Sequence, residues 1–490
     1  SVGEVKGQDV AESQRDNFLV ALQGRVAGLS MTPTSGTPGA SVSIQLRGAS
    51  SIGGNNQPLY VVDGLPIDNR TFGQGALVSD RPNRDNDFLN RAADINPADI
   101  ESITVLKGPE AAALYGIDAS AGAIVITTKK GRKGAGRITY DNRFQTTEVF
   151  RFPEIQTTFG RGTQGFANPN ALTAFGPRFP EGTRIYDNVG SFFQNGFTQA
   201  HNLAAEGGGD VATYRLSSSY TDQTGTVPNT GFKRLSVRLT GTAKLSPTLN
   251  LESSLTYVNT QVKKALRSNN GFLIGLLAWP ANDDVTQYLN PDGTRRTIIG
   301  SLSQQEVDNP FFSVNKNQSG DVTNRTIGNV QLNYTPTSWL SILGRFGADI
   351  YATQSNLFLH RESWQGNATN PPSGGYTAKG SIENAVENSQ LLNGNLLATV
   401  TKQFGKLRTS LMVGTTFDDR NYRVQTAYGE NVYLPEYNSL NNTDPVTQRT
   451  KYTQRQQRLV SVLGNWNFNY DDILILTLTG RNDWSSTLPI

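Results

Sequence analysis

The sequence predicts a mainly β protein, with a mixed α/β region at its start and an antiparallel transmembrane β-barrel after it. Two observations support this prediction. The first 133 residues mix helix-like and strand-like patterns, whereas from about residue 136 the chain alternates apolar and polar residues over long segments. The longest apolar run, 272–279, stops at Pro280. Because a membrane-spanning helix needs about 20 apolar residues, any crossing of a membrane must use strands.

The N-terminal region contains short elements separated by glycine and proline. A helix is expected from Pro109 to Tyr115, since proline suits its first position and Gly116 its end. A second helix-like pattern covers 16–29, although Gly24 and Gly28 weaken it. The basic segment 129–134 reads as a flexible linker. Strands are expected at 42–46, 58–62, 103–106 and 123–128.

Segment 233–245 gives the clearest strand pattern of the second region. Leu235, Val237 and Leu239 share one face, whereas Arg234 and Arg238 share the other. Similar segments follow, and about eleven such strands are expected in total. A barrel in lipid requires one apolar face and one polar face on each strand.

The connections alternate between short and long. Segments 246–248 and 335–338 are tight turns, whereas about 262–320, 352–387 and 420–452 read as long loops. Bacterial outer-membrane barrels have short periplasmic turns and long external loops. Aromatic residues also gather near strand ends, as a girdle at the membrane interface requires: Tyr257, Tyr334, Trp339, Tyr470 and Trp484.

Alternation alone also fits a soluble β-sandwich with two stacked sheets. Several segments here reach ten residues or more, against the five or six that are usual in soluble sheets. Strand length therefore favours the barrel.

Composition excludes several functions. The net charge is +3, so no strong positive field is available for nucleic acid, and the chain has no cysteine for disulfides or thiolate chemistry. His201 and His360 lie far apart without metal-ligand spacing, and Asp80, Asp85 and Asp87 lack the glycine and glutamate of a calcium loop. No catalytic residues, metal site or cofactor are expected, and the protein is not expected to be an enzyme.

Five strings occur in order in the first region: LRGASSI at 46–52, PLYVVDGLP at 58–66, NPADIESITVLKG at 96–108, AALYG at 112–116 and GAIVITTKKG at 122–131. LQGRVAGL at 22–29 precedes them, and GRNDWSS at 480–486 lies far downstream. Together these strings resemble the plug domain of SusC/RagA-type TonB-dependent outer-membrane transporters.

The resemblance implies that residues 1–133 form the plug domain. It also implies that residues 134–490 form the N-terminal half of a barrel that has about 22 strands when complete. The plug would fill the lumen, and the remaining strands would come from sequence beyond this chain, since an open edge in lipid is unfavourable. The matching plug residues, to which a mainly structural role is assigned, are Arg47, Gly48, Asp63, Gly64, Lys107, Gly108, Tyr115 and Gly116. Arg47, Asp63, Glu101 and Lys107 are expected to form ion pairs with the barrel wall.

The implied function is active import of an oligomeric nutrient, glycan or peptide, across the outer membrane. The implied partners are a SusD-like surface lipoprotein as a lid and the TonB–ExbB–ExbD complex, which would act through a TonB box upstream of this chain. No substrate-binding residue is predicted.

Two alternatives remain. A siderophore or other metal-chelate receptor would use the same fold without a lid. A soluble carbohydrate-binding β protein would fold without detergent.

Overall fold

The computed structural model describes residues 2–13, 17–49, 56–70, 77–79, 89–107, 109–267, 271–298, 307–363 and 380–487. Within them the chain forms a small N-terminal sheet and one large antiparallel sheet.

The N-terminal region is built on a five-stranded sheet and a separate two-stranded ribbon. Its strands are β1 (Val2–Lys6), β2 (Leu29–Pro33), β3 (Val42–Leu46), β4 (Leu59–Val62), β5 (Leu65–Ile67), β6 (Ile100–Leu106) and β7 (Ala123–Thr128). The main sheet has the order β1-β6-β7-β4-β5, in which only β4 and β7 run parallel, and β2 pairs with β3. The helices are α1 (Gly7–Glu12) and α2 (Pro109–Tyr115), the latter with its predicted bounds.

The helix-like pattern at 16–29 was only partly right. Its described part, from residue 17, contains a single 3-10 turn, Val20–Leu22, followed by turns. Gly24 and Gly28 take φ values of 75° and 74°, which a continuous helix cannot accommodate. Its apolar residues still enter the core, because Phe18, Leu19 and Leu22 are fully buried.

The second region forms an eleven-stranded antiparallel sheet in which each strand pairs with its neighbour in sequence. Between its first two strands, the short strands β9 (Gly162–Thr163) and β10 (Phe166–Ala167) form a separate pair. The eleven strands are β8 (Gly134–Thr147), β11 (Gly196–Gly208), β12 (Ala212–Thr224), β13 (Gly231–Ser246), β14 (Leu249–Lys264), β15 (Gln318–Thr337), β16 (Leu340–Leu359), β17 (Ser381–Phe404), β18 (Leu407–Glu430), β19 (Arg449–Tyr470) and β20 (Leu474–Ser485). Short helices lie in the long loops: α3 (Asn188–Phe192), α4 (Phe272–Ala278) and α5 (Pro310–Lys316).

The faces of β13 confirm the predicted alternation. Leu235, Val237 and Leu239 are 41%, 37% and 50% exposed, whereas Arg234 and Arg238 are 3% and 6% exposed. A soluble protein buries its leucines and exposes its arginines. The reversed arrangement means that the outer face of this sheet is adapted to lipid and the inner face to a polar partner.

The N-terminal domain lies against the inner face of the large sheet. Its core contains Ile44, Tyr60 and Ile124, and Ile327 of β15 and Leu391 of β17 belong to the same buried cluster. The wall of the large sheet therefore completes the core of the domain that it surrounds.

The connections alternate in length as expected, but the loops are shorter than the sequence indicated. The turns between β13 and β14 and between β15 and β16 are two residues long, at 247–248 and 338–339. The strands extend into the predicted loops, which shrink to 265–317, 360–380 and 431–448. In these extensions the pattern is reversed, because apolar residues such as Tyr422 and Val424 are buried on the inner face while Arg423 and Gln425 are exposed on the outer face. The reversal breaks the continuous alternation on which the prediction relied.

Across the described ranges, every helix falls short of the length and apolarity that a membrane crossing demands.

A charge on the outer face should disrupt the barrel. Val330 lies on the outer face of β15, seven residues before the end of the strand at Thr337, and is 49% exposed. We expect Val330→Arg in the full-length protein to cost about 2–4 kcal/mol of folding free energy in a bilayer, because arginine at mid-depth must be desolvated. Denaturant unfolding in lipid vesicles measures this loss.

Val446→Arg, at a loop residue that is 93% exposed, is the control and should change stability by less than about 0.5 kcal/mol. Equal effects of the two changes would contradict the assignment of a lipid-facing surface.

Candidate functional site

The site with the most specific chemistry is the interface between the N-terminal domain and the inner wall of the large sheet. At one point of contact, β4 and β5 form a hairpin whose two turn residues are Asp63 and Gly64. Their φ values are 49° and 80°. A type I′ turn requires positive φ at both positions, and Asp-Gly is one of the pairs that best satisfies this requirement. The string VVDGL therefore encodes a tight projecting turn.

Asp63 connects this turn to the wall. Its carboxylate accepts hydrogen bonds from Thr128 N and Thr128 Oγ1, at 2.9 and 2.7 Å, and forms an ion pair with Arg238 Nη2 at 2.5 Å. Both partners of this ion pair are largely buried, which strengthens their attraction relative to a surface pair. The expected ion pair between Asp63 and the wall is thus present.

Gly64 allows the wall to approach closely. Its carbonyl oxygen accepts a hydrogen bond from Arg345 Nη1 at 2.9 Å. A Cβ atom at this position would lie 2.0 Å from the same nitrogen, so glycine serves both the turn and the contact.

A second contact lies at the end of α2. Arg481 of β20 donates to the carbonyl oxygen of Leu114 at 3.1 Å, and Arg420 of β18 pairs with Asp118 at 2.5 Å. A Cβ at Gly116 would approach the Arg481 guanidinium at 2.9 Å, and burial raises the pKa of the Tyr115 hydroxyl. The predicted residues Tyr115 and Gly116 are therefore part of this contact.

The other predicted plug residues lie away from these contacts. Arg47 and Gly48 form an exposed turn after β3, where Arg47 N donates to Gly28 O at 2.8 Å. In the part of the chain that the structure describes, neither Glu101 nor Lys107 forms an ion pair with the wall. Gly108 lies outside the described residues.

The largest polar contact centres on Arg325 of β15, which no sequence pattern singled out. Its side chain is fully buried and makes five hydrogen bonds. Nε and Nη2 donate to the Asp349 carboxylate at 2.8 and 2.7 Å, and Nη1 donates to Asp94 Oδ2 at 3.0 Å. Nη1 and Nη2 also reach the carbonyl oxygens of Arg91 and Asp68, at 2.6 and 2.9 Å. Guanidinium has five N–H donors, so this group is fully satisfied.

Asp68 extends the same network. Its carboxylate accepts from Arg70, from Ser389 Oγ at 2.8 Å and from the Tyr351 hydroxyl at 3.2 Å. Burial opposes ionisation of this group, but the hydrogen bonds and charge of Arg70 outweigh it and hold the pKa of Asp68 well below its usual range. Asp68 therefore stays charged at neutral pH.

Further inward-facing arginines reach the domain from neighbouring strands. Arg215 of β12 contacts Asp99 and Glu206, each at 3.2 Å, and Arg234 donates to Ala93 O at 2.7 Å. The inner wall thus presents arginines to carboxylates and carbonyl oxygens of the domain.

A cavity of about 240 Å³ separates the domain from the wall beside the Asp63–Gly64 turn. Thr128, Glu252, Gln331 and Arg345 line it. Lys130 bridges to Glu252 at 2.5 Å at this cavity. The interface is therefore polar and incompletely packed at this point.

The two histidines occupy unrelated places. His201 lies on β11, where its Nδ1 atom is 2.7 Å from the Tyr140 hydroxyl, and His360 is buried beside Phe312 and Phe358. The described ranges contain no group of residues that could hold a metal ion. The aspartates at 80, 85 and 87 lie outside those ranges.

Arg325→Met should be strongly destabilising, because it leaves Asp94 and Asp349 buried without their main cation. We expect a loss of about 3–5 kcal/mol, measured by denaturant unfolding of the full-length protein together with protease sensitivity of the N-terminal domain.

The matched control is Arg458→Met, which removes an arginine whose ion pair with Asp419 is exposed. It should cost at most about 1 kcal/mol. A similar cost for both variants would mean that the Arg325 network does not hold the domain.

Comparison with known proteins agrees with this arrangement. Residues 1–123 match the family model described as TonB-dependent Receptor Plug Domain. The chain is 26% identical to the TonB-dependent receptor SusC of Bacteroides thetaiotaomicron over 99% of its own length and 47% of that protein. It thus spans about half the length of this curated relative.

Two solved structures show the same fold. The RagAB peptide importer in its open-open state superposes with a TM-score of 0.78 at 20% identity, over 99% of this chain and 54% of the matched chain. The siderophore receptor PirA of Acinetobacter baumannii gives a TM-score of 0.56 at 16% identity, over 99% and 56% respectively.

These relatives are receptors and transporters rather than enzymes, as expected. The plug match, the similarity to SusC along the whole chain and the eleven-stranded half-barrel lead to one conclusion. The chain resembles the SusC/RagA-type TonB-dependent receptors along its whole length, and its first 123 residues match the plug domain of TonB-dependent receptors.

Proposed function

We propose that this chain supplies the plug and half of the barrel wall of a TonB-dependent importer of oligomeric nutrients, glycan or peptide. In this proposal residues 1–133 are the plug domain and 134–490 the N-terminal half of the barrel. The observation that carries it is a folded domain held against the inner wall of a lipid-facing barrel by polar contacts.

The polar character of the interface suits a domain that must move. The ion pairs and hydrogen bonds that hold Asp63, Asp94 and Asp118 can be exchanged for water when the plug shifts. An interface built mainly from apolar side chains would instead expose its core to water on opening.

The N-terminal strand is suitably placed for energisation. β1 is the edge strand of the plug sheet and pairs only with β6, so a pull on the chain upstream reaches it first. We propose that the TonB–ExbB–ExbD complex supplies this pull through a TonB box upstream of Ser1.

The predicted plug residues act structurally in this proposal. We assign them no contact with the substrate: Arg47, Gly48, Asp63, Gly64, Lys107, Gly108, Tyr115 and Gly116.

At the end of the barrel with long loops, the segments that follow β8 and β18 carry exposed apolar side chains that suit contact with a partner protein. We define the loop surface as Phe150, Phe166, Tyr433, Leu434 and Val446, which are 53–93% exposed. Exposed apolar surface of this kind is characteristic of protein contacts. We propose that a SusD-like lipoprotein covers it as a lid, and that the RagAB-like shape favours this arrangement over a lidless siderophore receptor.

Uptake should distinguish the two classes of cargo. Cells that carry the full-length receptor should accumulate labelled oligosaccharides or oligopeptides, and collapse of the proton gradient or loss of TonB should abolish this accumulation. Uptake of ferric siderophores, with no uptake of either oligomer, would favour the metal-chelate receptor instead.

The loop surface gives a separate prediction. Phe150→Ser with Phe166→Ser should weaken the complex with the lid lipoprotein by about tenfold or more, since each phenylalanine is 77% exposed or more. Co-purification in mild detergent and titration of the lipoprotein measure the effect.

Val211→Ser is the control, because Val211 is 67% exposed at a short turn on the opposite end of the barrel. Retention of the lid in the double phenylalanine variant would rule out the loop surface as its contact.

A further inference from the structure

The outer face of the barrel holds a hollow that is lined mainly by polar side chains. Its volume is about 380 Å³. Ile350 and Ala352 of β16 lie at its base. We define the amide belt as the polar residues that line it: Asn324, Thr326, Asn388, Gln390, Asn421 and Arg423.

Strand register places these residues side by side. Asn388 pairs with Ala352 on one side and Arg423 on the other, and Gln390 pairs with Ile350 and Asn421 one step below. Because side chains two residues apart share a face, the polar groups of β17 and β18 point outward together. Glu387 and Ser389, which alternate with them, are buried in the lumen.

The hollow lies at the upper edge of the apolar surface. On β15, Asn324 lies ten residues from Tyr334, a residue of the predicted aromatic girdle at the opposite edge of the apolar band. Ten residues at about 3.4 Å each span about 34 Å, and a tilt of about 40° reduces this to a height of about 26 Å. The apolar band of such barrels is about 25 Å tall, so the amide belt meets the headgroups of the outer leaflet.

The polar groups of the belt divide into paired and unpaired sets. Asn324 Oδ1 accepts from Tyr257 and Asn259, each at 2.9 Å. Within the described ranges, no side-chain hydrogen bond is formed by Asn388, Gln390 or Arg423, and the buried Oδ1 atom of Asn421 also has none. Unused donors and acceptors thus converge on one hollow.

Polar side chains continue along the outer face on both sides of the hollow. Asn259 and Gln261 of β14 lie beside Asn324, and Gln454 and Gln456 of β19 pair with Arg423 and Asn421. The hollow differs from these neighbours in its volume and in the unpaired polar groups that line it.

We propose that the amide belt binds the phosphorylated sugar headgroup of an outer-leaflet lipid. The Arg423 guanidinium would bind the phosphate by donating two parallel N–H hydrogen bonds, the bidentate geometry that arginine commonly forms with phosphates. The amides of Asn388, Gln390 and Asn421 would both donate to and accept from sugar hydroxyls. The acyl chains would continue down the apolar surface below Ile350.

The test is native mass spectrometry of the full-length receptor in detergent, titrated with lipid A, a phosphorylated glucosamine disaccharide lipid. We expect one bound lipid per barrel in this site, with affinity lowered about tenfold or more in Arg423→Gln, because a charge-assisted hydrogen bond is lost. Removal of the phosphates from lipid A should have the same effect on the parent protein and little further effect on the variant.

Two further variants make the result specific. Asn388→Ala with Asn421→Ala should weaken the intact and the dephosphorylated lipid alike, since it removes sugar contacts. Lys263→Gln removes an exposed charge from β14 outside the hollow and should leave binding unchanged.

Equal binding of lipid A by the parent protein and Arg423→Gln would overturn the proposal. If Arg423→Gln converts a dimer to a monomer and leaves lipid binding unchanged, the hollow is a contact with a second copy of the chain. That result would also overturn the proposal. Oligomer uptake is measured in parallel and should persist in all three variants, which separates this site from the import function.

Discussion

The buried guanidinium of Arg325 is the contact on which the arrangement of plug and barrel depends. It joins two carboxylates and two carbonyl oxygens that come from three separate stretches of chain. A buried charge is tolerable only when its attraction and hydrogen bonds repay the loss of water. That condition is met only while the plug is seated. The network therefore specifies one position of the plug more sharply than apolar packing alone could.

The inner face of the wall and the surface of the plug have complementary charges. Lipid outside the barrel requires apolar residues on alternate positions, and the positions between them must then face inward. Arginines such as Arg215, Arg238 and Arg345 occupy inward positions, and the plug offers them carboxylates and carbonyl oxygens. The inner surface can thus be strongly polar without being filled by bulk water. Apolar contacts also cross the interface. Ile327 and Leu391 join the plug core to the wall, and two smaller clusters centre on Leu77 and on Leu89 with Ala93.

Sequence alone predicted the elements whose signals are local. The strand Ala123–Thr128 was predicted from its β-branched residues, and the helix Pro109–Tyr115 from the proline at its start and the glycine after its end. Both have their predicted bounds. Inward and outward faces of β13 followed from period-two alternation. The prediction of a helix at 16–29 was only partly right, because the apolar residues have helical spacing whereas Gly24 and Gly28 adopt the positive φ values of turns. Strand ends were underestimated where the apolar residues move from the outer face to the inner face, as at Tyr422 and Val424.

The contacts of the plug were mostly beyond sequence reasoning. Arg238 could be placed in the lumen by alternation, and Asp63 stood in a recognisable motif, so their pairing was accessible. Arg325 also held an inward position, but its partners Asp94 and Asp349 are distant in sequence and no spacing connects them. Only the fold brings these charges together. The hollow on the outer face was likewise beyond sequence reasoning, because residues of four strands line it.

The length of β17 and β18 has a consequence for the molecule above the membrane. The two strands pair through 24 consecutive residues without a register shift, from Ser381 and Glu430 to Phe404 and Leu407. Such a ladder is about 80 Å long and, at a tilt of about 40°, about 60 Å high, more than twice the apolar band. The upper part forms a stiff collar that stands clear of the lipid. This part of the rim is therefore built from hydrogen-bonded strands rather than from loops, so the wall keeps a defined shape above the lipid.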